Sequence, residues 1–244
     1  MFDYAKENCF VVLNGDDDKL INVKEVNGNQ PMFFGIDTKQ SVNIISYKAI
    51  GVLGTEAEIE YFGQRFHTVI PIPGYHMLYN AMAATCIGVH FNMTLEEIDC
   101  GIRKLKAISG RNNIFQANGI TVIDDCYNAN PMSMKASLGV LACAEGRKVA
   151  ILGDMFELGA KEKELHAEVG EKAAELGIDA VICIGHLSEN IAKAAKTGVN
   201  DVKFFSNKED FEKELSNYVI KGDTVLIKAS NGMKFHTIVE QLKK

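Results

Sequence analysis

Tryptophan is absent and proline occurs only four times in 244 residues. With 47% hydrophobic and 24% charged residues beside that scarcity, the composition excludes disorder, collagen and coiled coil and describes an ordinary globular chain. A chain of this length buries roughly 70 to 75% of the surface its unfolded form exposes, which allows one large domain or two modest ones. No apolar run approaches the ~18 residues of a membrane span. The opening run, Cys9 to Leu13, is too short for a signal-peptide core. A basic stripe is missing too: acidic residues outnumber basic ones 32 to 26, for a net charge of -6, so nucleic acid is not an expected partner. The six cysteines form no C-x-x-C pair and have no histidine at zinc-ligand spacing. Most sit in apolar runs, as small reduced hydrophobes do. The expectation is a reduced, cytoplasmic protein with no membrane span.

What is present changes character along the chain. Residues 1 to about 110 begin with a strand-like CFVVL, a polar turn over Asn14 to Asp18 and a short strand near Met32 to Gly35. Three β-rich stretches follow, VNIISY, EAEIEYF and FHTVIPI, whose close spacing predicts an antiparallel hairpin or meander. Two helices come next, over about Tyr75 to Val89 and from Thr94, where Thr94 and Glu97 form a capping box. Leu95, Ile98, Ile102 and Leu105 recur at helical spacing and predict a buried stripe. From Gly119 onward strands alternate with helices: TVID, KVAIL, AVICI, VKFF and TVLIKA, each separated by a helical segment. Such alternation predicts an α/β domain with a doubly wound, mostly parallel sheet. Its ligands belong outside the carboxyl ends of the strands. Those ends carry Asp124 and Asp125, Gly153 and Asp154, Gly185 and His186, and Lys228 to Asn231.

Asn130 and Pro131 explain themselves as helix cap and first turn. Two adjacent carboxylates followed by Tyr127 and Asn128 do not, since each needs solvent, a cation or a ligand. The string DDCYNANP, with LGDMFELG at the next strand end, resembles the carboxy-terminal domain of the Mur ligases, and of the D-alanyl-D-alanine-adding branch in particular. PGYHMLYNAMAA, TLEEIDCGIRKLKAISGR and IKASNGMKFHTIVEQL agree with it, and VLNGDDD with the β-rich stretch matches the second half of that family's central ATPase domain.

The resemblance implies residues 1–110 as part of the central ATP-binding domain and 111–244 as the carboxy-terminal domain. It implies an ATP- and Mg2+-dependent ligase that activates a carboxylate as an acyl phosphate and joins it to an amine. Its substrates would be UDP-N-acetylmuramoyl-tripeptide and D-alanyl-D-alanine. His76 and Asn80 are implied beside the adenine, Arg111 at the ATP phosphates, and Asp125 and Tyr127 near the nucleotide, with Arg111 and Asp125 as the catalytic residues. Tyr127 is also implied at the dipeptide, with Asn128, Asn130, Asp154, Lys228 and Ser230. Groups of this kind position and neutralise charge rather than act as nucleophiles. Two positions depart from the pattern: Met77 replaces an expected Asn, and Asn231 an expected Arg.

The 244 residues contain no G-x-x-x-x-G-K-[ST] loop to cradle phosphates. Bonds to charged groups contribute about 1.5–3 kcal/mol each, so losing two or three weakens ATP binding roughly a thousandfold. The expectation is a chain that does not turn over alone. Other readings fit less well. No G-x-G-x-x-G follows a strand, Ser230 lacks a nucleophile elbow for a hydrolase with His186 and Asp154, and Asp16 to Asp18 lack an EF-hand's spacing and read as a solvated turn. A stand-alone nucleotide- or cell-wall-peptide-binding module is the remaining alternative.

Overall fold

A computed structural model describes residues 2–37 and 39–244. The chain forms two compact units, Met1–Lys106 and Ala107–Lys244. The first holds a five-stranded sheet in the order β1 (Val12–Asn14), β2 (Met32–Gly35), β3 (Val42–Ala49), β4 (Thr55–Tyr61), β5 (Gln64–Ile70). β1, β2 and β3 run parallel; β3, β4 and β5 form the expected antiparallel meander, with a bulge between Ile44 and Ser46. Helices α1 (His76–His90) and α2 (Leu95–Arg103) cover it. Ile59, Ile70, Leu78, Met82 and Ile98 are buried between them.

The Thr94 capping box is present, with Glu97 N–H donating to the Thr94 hydroxyl and Thr94 N–H to the Glu97 carboxylate. The predicted stripe is only half buried. Ile98 and Ile102 are core, but Leu105 lies past the helix end and is 38% exposed. It lines an open apolar groove with Ile87, Phe91 and Met93. The aspartate turn also differs from the solvated loop expected. Asp16 accepts from the backbone N–H of Ile36 (2.6 Å) and from the Tyr79 hydroxyl (3.0 Å), joining the ends of β1 and β2 to α1. Asp17 caps the next turn by accepting from Lys19 and Leu20 N–H, which lowers its carboxyl pKa.

The second unit adds β6 (Asn113–Ala117), β7 (Ile120–Asp124), α3 (Pro131–Ala142), β8 (Lys148–Gly153), α4 (Glu162–Glu175), β9 (Ala180–Ile184), α5 (Glu189–Ala195), β10 (Asp201–Phe205), α6 (Lys208–Tyr218), β11 (Thr224–Lys228) and α7 (His236–Leu242). The strand order is β10-β9-β8-β11-β7-β6, parallel except for β6. Sequence reading missed β6, although Asn118 and Gly119, at φ 51° and 80°, supply the left-handed pair of a two-residue hairpin. Helices α6 and α7 bury Phe211, Leu215, Ile238 and Val239 on one face of the sheet, against Val122, Val149, Ile182 and Val225. Helices α3, α4 and α5 pack together, with α3 touching β8 and β11 and α5 touching β9 and β10. The sheet is therefore doubly wound.

The strand order reverses at β7, β11 and β8. The chain passes from β7 to β8, winds outward to β10, then returns β11 between the first two. Three carboxyl ends meet at this switch point.

Helices α4 and α5 approach closely at Gly170, where an added Cβ would stand 2.2 Å from the Ile191 carbonyl oxygen. Gly170→Ala gains about 1 kcal/mol of helix propensity but forces the helices apart. A net destabilisation of about 1–3 kcal/mol is expected in urea denaturation.

Candidate functional site

The site is the carboxyl edge of the second sheet at its switch point. β7 delivers Asp124 and Asp125, and β11 delivers Lys228 and Ser230 beside them. β8 delivers Asp154 on the other side of β11. Parallel pairing brings Ile227 opposite Asp124 and Lys228 opposite Leu152, so residues far apart in sequence become neighbours.

Lys228 does not reach solvent as a strand-edge lysine would. Its side chain is 3% exposed and its Nζ lies 2.5 Å from Asp125 Oδ2. The same ammonium donates to the carbonyls of Asn128 (3.0 Å) and Asp125 (3.4 Å), which occupies its three N–H groups. Asp125 also accepts from Asn112 N–H at 2.9 Å and from the Ser137 hydroxyl at 2.6 Å. Charge and hydrogen bonds are satisfied together, the condition under which a buried ion pair is tolerated. Its consequence is local: the loop after β7 is tied to the end of β11.

That loop presents Tyr127, Asn128 and Asn130 outward. Asn130 caps α3 by accepting from Ser133 N–H (2.8 Å), so its side-chain oxygen already has a structural partner. The Arg111 guanidinium carbon lies 4.2 Å from the centroid of the Tyr127 ring, and that ring is 50% exposed. Among the described residues no carboxylate pairs with Arg111. Asn231, at the departure from the expected Arg, donates from Nδ2 to the Tyr127 carbonyl at 2.9 Å. It has become a brace for this loop.

Asp154 is buried and accepts from Ser188 N–H at 2.7 Å, across the entry to α5. The Ser230 hydroxyl accepts from Phe156 N–H at 2.9 Å. Ser230 therefore holds the loop after β8 and has no nucleophile's arrangement. That loop has a further anchor that sequence reading missed. His166 is 0% exposed; its Nε2 accepts from Met155 N–H (2.9 Å) and its Nδ1 lies 2.6 Å from the Glu162 carbonyl. These partners require the neutral tautomer protonated on Nδ1. A histidine one turn into α4 gave no sequence signal of that contact.

In the first unit, His76 and Asn80 are exposed at the start of α1. Asn80 Nδ2 lies 3.3 Å from the sulfur of Met77, the other departure from the pattern. Among the described residues, no group of three or more His, Cys, Asp or Glu side chains is placed to hold a metal ion. All six cysteines are free, and no described helix is long and apolar enough to cross a membrane.

A Rossmann-like α/β unit with charged and amide side chains at its switch point thus follows a mixed-sheet unit. The chain belongs to the Mur ligase family: the Mur ligase middle domain matches residues 1–88, and the Mur ligase glutamate ligase domain matches residues 110–231. It is 31% identical over 248 residues to the UDP-N-acetylmuramoyl-tripeptide–D-alanyl-D-alanine ligase of Escherichia coli, covering 100% of this chain and 54% of that protein. Two solved structures superpose on nearly the whole chain. MurF from Acinetobacter baumannii gives a TM-score of 0.86 at 26% identity, covering 99% of this chain and 53% of that one. MurF ligase from Thermotoga maritima, in complex with ADP, gives 0.81 at 29%, covering 98% and 54%. The chain spans about half the length of the relatives it matches.

Lys228→Met leaves the Asp125 charge without its ammonium and is expected to destabilise by about 3–5 kcal/mol in chemical denaturation. Adding Asp125→Asn should recover part of that loss. Thiol chemistry gives a second check. Burial, then the Asp124 carboxylate beside it, pushes the Cys126 thiol up to about 12, whereas Cys100 and Cys143 are exposed. At pH 8, iodoacetamide should label Cys100 and Cys143 and spare Cys126 in the folded protein, as read by peptide mass spectrometry.

Proposed function

We propose that this chain is the part of an ATP-dependent amide ligase that closes on the nucleotide and holds the incoming amine. The ligase joins D-alanyl-D-alanine to UDP-N-acetylmuramoyl-tripeptide in cytoplasmic peptidoglycan precursor synthesis. Residues 1–110 would be the back half of its central ATP-binding domain and 111–244 its carboxy-terminal domain. The observation that carries this reading is the switch point. There Asp125, Tyr127, Asn128, Asp154, Lys228 and Ser230, drawn from separate motifs, share one edge of one sheet.

The residues fit the groups such a reaction brings. ATP, when bound, supplies the phosphoryl group that activates the substrate carboxylate. Arg111 is exposed, with its guanidinium held over the Tyr127 ring and its donors available to anionic oxygens. In the first unit the exposed His76 and Asn80 offer ring and amide groups suited to a purine edge. The exposed Tyr127 and Asn128 suit a small polar dipeptide with methyl side chains. Lys228, Asp154 and Ser230 are already engaged within the protein: Lys228 anchors the loop that carries Tyr127 and Asn128, while Asp154 and Ser230 hold the entry to α5 and the loop after β8. Asp125 has the same character: with Lys228, Ser137 and Asn112 N–H around it, it places charge and does not transfer a proton. Mg2+ would be held by groups other than a cluster of these carboxylates.

The second reading is a nucleotide- or cell-wall-peptide-binding module without turnover. The two part in one assay. Phosphate release from ATP with magnesium, the UDP-muramoyl tripeptide and D-alanyl-D-alanine should be silent with this chain alone. It should appear when a polypeptide with the family's amino-terminal domain and phosphate loop is added. Silence in both arms favours the module; activity from the chain alone overturns the expectation drawn from the missing loop. In the complemented enzyme, Arg111→Ala should lower the rate by about a hundredfold or more, the usual effect of removing a donor aimed at developing charge.

A further inference from the structure

The two adjacent carboxylates at the end of β7 divide their bonds in a way that the ligase reading does not use. Asp125 faces the Lys228 ammonium. Asp124 is 2% exposed and turns to the segment by which the chain enters this unit. Its Oδ2 accepts from Gly110 N–H at 2.9 Å, and its Oδ1 lies 3.0 Å from the Cys126 sulfur, whose thiol donates to it. The Gly110 carbonyl in turn accepts from Tyr127 N–H at 2.9 Å. Two residues on, Asn112 N–H donates to Asp125 at 2.9 Å. Arg111 is thus flanked on both sides by backbone N–H groups bound to carboxylates. Its own N–H closes a turn onto the Ile108 carbonyl at 2.9 Å. Gly110 and Asn112 both lie at positive φ, 76° and 50°, so the segment has a sharply defined path that alternating left-handed residues alone would not hold.

We infer that Asp124 is a positioning residue for Arg111, an assignment that rests on the reading of Arg111 as the phosphate-facing group. Asp124 is enclosed, and both its oxygens are engaged by the chain itself, so it meets no substrate. A charge-assisted bond to a buried N–H is about twice as strong as a neutral one, and a buried carboxylate released from its donors would be costly. The bond therefore fixes Gly110, and Gly110 fixes where the next side chain starts. From that start, the guanidinium lies over Tyr127, whose own N–H is bound to the same glycine. Asp124, Gly110, Tyr127 and Arg111 form one closed circuit.

The test uses the chain as it is, with Asp124→Ala and Asp124→Asn. Proton NMR of the Arg111 side chain should show the upfield ring-current shift of a guanidinium over an aromatic face. Asp124→Ala should abolish that shift and speed exchange of the Gly110 amide by about tenfold or more, while mid-sheet amides such as Ile182 and Val225 change less than about twofold. Asp124→Asn, whose neutral amide oxygen still accepts, should give an intermediate result, about threefold at Gly110. It carries the test if the alanine variant does not fold. An unchanged Gly110 exchange rate and Arg111 shift in a folded variant would overturn the inference. In the complemented ligase, Asp124→Ala should raise the KM for ATP and Asp124→Asn should restore most of it. If the NMR signals respond but Arg111→Ala leaves the complemented activity untouched, the positioning role stands and the phosphate-facing reading of Arg111 falls.

Discussion

The buried pair of Lys228 and Asp125 is the constraint on which the rest of the site depends. Two opposite charges removed from water persist only if their remaining lone pairs and protons also find partners. Here the partners come from three places: the hydroxyl of Ser137 in α3, the N–H of Asn112 before β6, and the carbonyls of Asp125 and Asn128 in the loop after β7. Satisfying one ion pair therefore fixes the ends of two strands, the entry segment and a helix. The exposed side chains at this edge, Tyr127, Asn128 and Arg111, owe their placement to groups that are not exposed.

A division of labour follows. Residues implied at a ligand by resemblance separate into those presented to solvent and those that brace them. Lys228 braces the loop after β7, whereas Asp154, Ser230 and His166 hold the loop after β8 and the entry to α5. Preorganisation of this sort suits the proposed ligase role, in which charged groups must be aligned before they react. The brace at Asn231 illustrates how such a system absorbs change. An amide there reaches the Tyr127 carbonyl and ties the loop to the segment after β11.

Much of this was legible in the sequence because it rests on local periodicity. Strand and helix alternation after Gly119, the capping box at Thr94 and the Asn130-Pro131 helix start depend on residues within a few positions of one another, and each is present. Strand β6 was missed because a single amphipathic run of five residues carries little signal, even with Asn118-Gly119 beside it. The buried stripe through Leu105 failed because helical spacing predicts which face a residue takes only while the helix lasts. Asp16 was misread as solvated because its donors, Ile36 and Tyr79, are distant in sequence.

By itself, then, the sequence determined the α/β class, the order of elements and the motif-bearing strand ends. These follow from side-chain periodicity and from contiguous strings of residues. Only the tertiary structure decided that β11 inserts between β7 and β8, and hence that Lys228 meets Asp125 rather than solvent. Strand order is a nonlocal choice, made by burial across the whole sheet. A side chain's partner 103 residues away becomes visible only once that choice is made.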